Sequence, residues 1–100
     1  MDDAEITSFI MHDGSRRFLS LPESILSGAL FDRIGAMPNT RVTEFIETIP
    51  ESWIDFEFHG FEFSINTQFG EYWFFVRDRN CPDDILIDIR DRFATILSPH

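Results

Sequence analysis

The chain contains no lysine. All eight of its basic residues are arginine, set against 18 acidic residues, so the net charge is -10 and the pI is near 4.4. A surface of this sign repels phosphate backbones, which argues against direct nucleic-acid binding. It attracts a basic protein and speeds encounter with it. Charge of this size also serves plain solubility. An acidic, lysine-free composition fits salt adaptation as well, but the 12 phenylalanines oppose that reading.

Cysteine is nearly absent. Cys81 stands alone, so no internal disulfide forms; this excludes a disulfide scaffold and suits a reducing compartment. No apolar run approaches the roughly 20 residues of a membrane helix. The opening MDDAEITS is acidic where a secretory leader is basic. The expectation is a cytoplasmic protein without membrane contact. Repeats, low-complexity tracts and linkers are lacking too, so residues 1–100 read as a single domain. With 43% hydrophobic and 26% charged residues the chain is a folding rather than a disordered one.

What is present in excess is aromatic. The stretch WIDFEFHGFEFSINTQFGEYWFFVRD, from Trp53 to Asp78, carries no positive charge before Arg77. Trp53 to Phe58 alternates, with Ile54, Phe56 and Phe58 on one face and Trp53, Asp55 and Glu57 on the other. A two-residue turn at His59-Gly60 pairs Phe58 with Phe61, Phe56 with Phe63 and Ile54 with Ile65, all on one face. A tight turn at Phe69-Gly70, or a four-residue loop over Thr67 to Gly70, adds Tyr72, Phe74 and Val76 to that face; a three-residue loop would instead bring Trp73 and Phe75 to it, but even loops are commoner in tight hairpins. The second face then carries Trp53, Asp55, Glu57, Glu62, Ser64, Trp73, Phe75 and Arg77. Glu57 falls opposite Glu62, a like-charge pair that Arg77 is placed to relieve.

The flanks complete an α+β plan. SLPESILSGALFDRIGAMP reads as a helix over Pro22–Gly35, with Ser20 and Glu23 at capping-box spacing and a stripe of Ile25, Leu26, Ala29, Leu30 and Ile34. TRVTEFIETI reads as a strand ended by Pro50, with no clear assignment of faces. CPDDILIDIRDRFATILSP reads as a helix over Pro82–Leu97. Pro82 takes its first position, Asn80 or Cys81 caps it, Asp83 and Asp84 complement the dipole, and Pro99 stops it. Its stripe is Ile85, Leu86, Ile89, Phe93, Ile96 and Leu97, and Asp88 can pair with Arg92. In the first 20 residues Asp13-Gly14 favours a hairpin that sets Phe9 against Phe18. A short helix over Asp3–His12, with Asp2 and Asp3 in its first turn, competes with it. The expected fold is an antiparallel four-stranded meander from Arg41 to Asp78, extended by the N-terminal hairpin and packed against two helices.

Trp53, Trp73 and Phe75 on the second face require either a covering layer from the same chain or a bound partner. Aromatics on both faces of a small sheet favour the covering layer. The alternative is a groove of aromatics rimmed by carboxylates, suited to an Arg- or Lys-bearing protein or to a second copy of the chain.

Catalytic and cofactor patterns are weak. His12, His59 and His100 are scattered, and no metal-ligand spacing, phosphate-cradling glycine loop or nucleophile elbow occurs. Asp84, Asp88 and Asp91 share a helix face with Arg92 among them, as on a solvated face. Cys81 precedes a helix, a position that activates thiols, but two aspartates follow it. His59 beside Glu57 or Glu62 sits at a turn open to water. The expectation is therefore no cofactor, and a non-enzymatic acidic module: an adaptor, inhibitor, immunity-type protein or chaperone binding a basic protein, with homodimerisation through the second face. Its interaction surface is Trp53, Asp55, Glu57, Glu62, Trp73, Phe75 and Arg77. The alternatives are a nucleic-acid mimic and a small enzyme with a site near His59 or Cys81.

Overall fold

The computed structural model describes residues 6–48 and 52–97. The Asp2–Asp3 pair, Pro50, Pro99 and His100 lie outside them. Six strands and two helices follow one another as β1 (Phe9–Ile10), β2 (Arg16–Pro22), α1 (Ser27–Gly35), β3 (Thr40–Glu47), β4 (Ser52–Phe58), β5 (Phe61–Gln68), β6 (Glu71–Val76) and α2 (Asp83–Ile96). They form one open antiparallel sheet of order β1-β2-β6-β5-β4-β3.

The aromatic meander folds as its alternation requires. Phe58 pairs with Phe61, Phe56 with Phe63 and Ile54 with Ile65; across the next turn Phe63 pairs with Val76, Ile65 with Phe74 and Thr67 with Tyr72. Both turns are two residues long, with φ near +52° and +82° at His59-Gly60 and near +51° and +80° at Phe69-Gly70. Positive φ at both positions gives the type I′ twist that matches flanking strands.

Phe69 is an odd occupant of such a position. A bulky side chain disfavours positive φ, and Phe69 is 94% exposed, so burial offsets nothing. Phe69→Asn is expected to stabilise the domain by about 1 kcal/mol. A urea midpoint that rises at constant m would register it; a fall would mean that the contact of Phe69 with Trp73, 6.5 Å between ring centres, outweighs the strain.

Two bulges account for segments whose periodicity is not regular. In β2, Arg17 pairs with Phe75 and Leu19 with Phe74, leaving Phe18 as the extra residue. Phe18 and Leu19 are therefore both buried. In β3 the extra residue is Thr43, so Val42 and Phe45, three apart, both pack on the core. That is why this strand shows no clean alternation in sequence.

Three local expectations are corrected. The Ser20–Glu23 capping box does not start a helix. Ser20, Leu21 and Pro22 belong to β2, where Leu19 and Leu21 pair with Phe74 and Tyr72, and α1 begins only at Ser27 without a side-chain cap. Sheet pairing outweighs the local cap signal. The N-terminal piece is a hairpin, not a helix, but Phe9 pairs with Arg17 rather than Phe18. Its turn is the three-residue His12-Asp13-Gly14 loop, closed by Met11 N–H to Ser15 O, with positive φ at Gly14 alone. Pro82 stands at the N-cap of α2, not its first helical position, and no side chain caps that helix.

Both helices lie on the same face of the sheet. α1 buries Leu30 and Ile34, and α2 buries Leu86, Ile89 and Phe93. Phe31 of α1 stacks on Phe45 of β3, and Phe93 of α2 meets Phe56 and Phe74. The core is thus a single layer between helices and sheet. Tyr72 closes one end, its hydroxyl donating to the Ile25 carbonyl at 2.6 Å; desolvation in this position raises its pKa.

Candidate interaction surface

Neither helix lies over the opposite face of the sheet. The expectation of a covering layer from within the chain is therefore corrected for the helices, both of which lie on the first face; the N-terminal hairpin turn overhangs part of this face, and Trp53 stays 37% exposed. All seven residues of the sequence-predicted surface meet here. Trp53, Asp55 and Glu57 project from β4, Glu62 from β5, Trp73 and Phe75 from β6, and Arg77 follows β6 directly.

Cross-strand register sorts the face into three rows. The first runs Ile46, Trp53, Asn66, Trp73, Ser20. It is apolar apart from Asn66 and Ser20, and Ile46 is 44% exposed. The second runs Glu44, Asp55, Ser64, Phe75, Arg17, Phe9. The third is charged, and its ends are basic. Arg41 bonds Glu57 at 2.8 Å, Glu57 stands opposite Glu62, and Glu62 accepts from Arg77 at 2.9 Å. The like-charge pair is relieved on both sides, by Arg77 as the sequence suggests and by Arg41, which it does not reveal.

Arg17 holds one half of the face. Its guanidinium lies 4.0 Å from the Trp73 ring centre and 4.6 Å from that of Phe9. Trp73 Nε1–H donates to Glu71 at 3.2 Å. On the other half, Asp55 accepts from the Ser64 hydroxyl at 2.8 Å. Asn66, between Trp53 and Trp73, has a buried Oδ1 without a hydrogen-bond donor. An acceptor left in this state costs about 1–3 kcal/mol.

The turn of the N-terminal hairpin rises at one end of this face. Met11, His12, Asp13 and Ser15 on that side and Thr43 of the β3 bulge on the other enclose a cleft of about 720 Å³, floored by Asp55, Ser64, Asn66 and Phe75. The Ser15 hydroxyl and N–H both donate to Asp13, which holds its carboxyl below the usual range.

Ser64 and Asn66 follow from extending the β5 alternation beyond Glu62. Arg17 and Phe9 do not, because nothing local in the sequence places residue 17 beside residue 75.

The groups weighed for catalysis do not converge. His12 and His59 are exposed in separate turns, and no group of three or more His, Cys, Asp or Glu among the described residues could hold a metal ion. Cys81 is 3% exposed, and burial, with Asp78 and Asp84, pushes its thiol up to about 11. No helix among the described residues is long and apolar enough to cross a membrane.

No protein-family model matches the chain, and searches of curated proteins and of solved structures give no significant match.

Proposed function

We propose that this chain is a small non-enzymatic interaction protein, of the adaptor, inhibitor, immunity or chaperone type, that binds a more basic protein across the open face of its sheet. The observation that carries the reading is that face. It presents tryptophan, phenylalanine and isoleucine in register with carboxylates, on a chain of net charge -10, and neither helix covers it. Exposed aromatics with a polar rim are the usual make-up of binding hot spots. Long-range attraction by the acidic surface would steer a basic partner to it.

Nucleic-acid mimicry has less support, since it calls for a row of unpaired carboxylates. The row available here is Arg41, Glu57, Glu62, Arg77, in which the charges cancel. An enzymatic reading is supported by neither the protonated, buried Cys81 nor the exposed His59. A second copy of the chain is the other candidate occupant of the face, and a strict monomer in sedimentation would remove it.

The test compares the immobilised protein with a Trp53→Ala/Trp73→Ala variant of unchanged circular dichroism. Basic proteins of a cell extract are expected to be held by the native face at low salt, released at high salt, and not held by the variant. Equal retention by both proteins would refute the assignment of the face.

A further inference from the structure

We infer that the Trp53–Asp55 half of the open face is a receptor for an arginine side chain of the partner; this rests on the reading of that face as a binding surface for a basic protein. The face contains its own example of how it seats a guanidinium. Arg17 lies over Trp73 and against Phe9 on the β2–β6 side. On the β4 side Trp53 has no cation over its ring among the described residues, although it is the more exposed of the two indoles.

The charges beside Trp53 are unbalanced in the same sense. Asp55 stands opposite Glu44 of β3, a second like-charge cross-strand pair. The Glu57–Glu62 pair is relieved by Arg41 and Arg77, whereas neither Asp55 nor Glu44 has an ion-pair partner among the described residues. Asp55 accepts only from the Ser64 hydroxyl. Asn66, directly across from Trp53, adds the buried Oδ1 without a donor.

These features ask for one kind of group. Trp53 and Asp55 stand two residues apart on one strand face, about 7 Å along it. A planar cation fits across them, stacked on the indole and hydrogen-bonded to the carboxylate. Arginine brings five N–H donors in a fixed fork, enough to serve Asp55 and reach toward Glu44 or Asn66 together. A lysine ammonium offers a compact, strongly hydrated point charge and little stacking. The inferred occupant is therefore an exposed arginine on a basic protein segment, its charge opposite to that of the Glu44–Asp55 pair.

Hexa-arginine and hexa-lysine peptides of equal charge test this with the full chain, by isothermal titration at moderate salt. The expected result is that the arginine peptide binds roughly fivefold or more tightly than the lysine peptide. Asp55→Asn and Trp53→Leu, each checked for native circular dichroism, should both reduce that ratio to about one, while Asp32→Asn on the far helix α1 should leave it unchanged. Equal affinities in the native protein, or a ratio that survives both substitutions, would overturn the arginine receptor while leaving the acidic face as a general binder of basic segments. Absence of binding by either peptide would overturn both readings.

Discussion

Truncating Phe93 to alanine is expected to remove about 3–5 kcal/mol of folding stability, the range for a fully buried phenylalanine whose space cannot collapse. Phe93 enters the core from α2 together with Leu86 and Ile89, and it has no solvent exposure. Its ring meets Phe56 at 5.8 Å and Phe74 at 4.9 Å. Those two are joined in turn through Phe63 and Phe18, at centroid distances of 5.4, 5.8 and 6.3 Å. Five phenylalanines from α2, β4, β5, β2 and β6 thus close a ring of contacts. Removing one member leaves a cavity walled by stiff sheet residues. A domain of this size has only about 5–15 kcal/mol in total, so the variant should unfold at far lower denaturant, and Phe93→Leu should recover a good part of the loss. Equilibrium urea unfolding measures both; a loss below about 1 kcal/mol would contradict the central place given to this ring.

The second large effect concerns Cys81. Its thiol is pushed up to about 11, first by burial and then by Asp78 and Asp84, with Arg16 opposing. Against the ordinary value of 9.0, the thiolate fraction near pH 8 falls about 100-fold, and alkylation follows the thiolate. Iodoacetamide is expected to label the native protein at least about 100 times more slowly than the urea-unfolded chain. Native labelling at a comparable rate would contradict the burial. The same shift has a stability consequence. A thiol that holds its proton more tightly when folded contributes stability that is fully present below about pH 9 and is lost as the pH rises toward 11. The denaturation midpoint should therefore fall across that window in the native protein, and fall less in Cys81→Ser.

The meander was legible because several local signals agree. Strict alternation in β4, glycine at the second position of both turns and matching apolar sets favour the register in which Ile54, Phe56, Phe58, Phe61, Phe63, Ile65, Tyr72, Phe74 and Val76 share a face. The surface residues Trp53, Asp55, Glu57, Glu62, Trp73 and Phe75 follow from that register as its other side. What the sequence hid is where pairing is long-range. Residues Ser20 to Pro22 carry a good helix-start pattern, but β6 offers them a ladder and Leu19 and Leu21 a core. The bulges at Phe18 and Thr43 break the period of two, so Val42 and Phe45 gave no consistent face. The Arg17–Trp73 contact depends on β2 docking beside β6.

That docking also sets the order in which the chain can be assembled. Arg16 pairs with Val76 and Pro22 with Glu71, so the β2–β6 ladder closes a loop that contains α1, β3, β4 and β5. Closing so long a loop costs more entropy than the two-residue turns at His59-Gly60 and Phe69-Gly70, which favours forming the meander before the β2–β6 ladder. During synthesis Phe18, Leu19 and Leu21 are made before Tyr72, Phe74 and Val76, and they lack their β6 partner until those residues follow. In that interval β2 is an apolar strand without its β6 partner, a state open to aggregation.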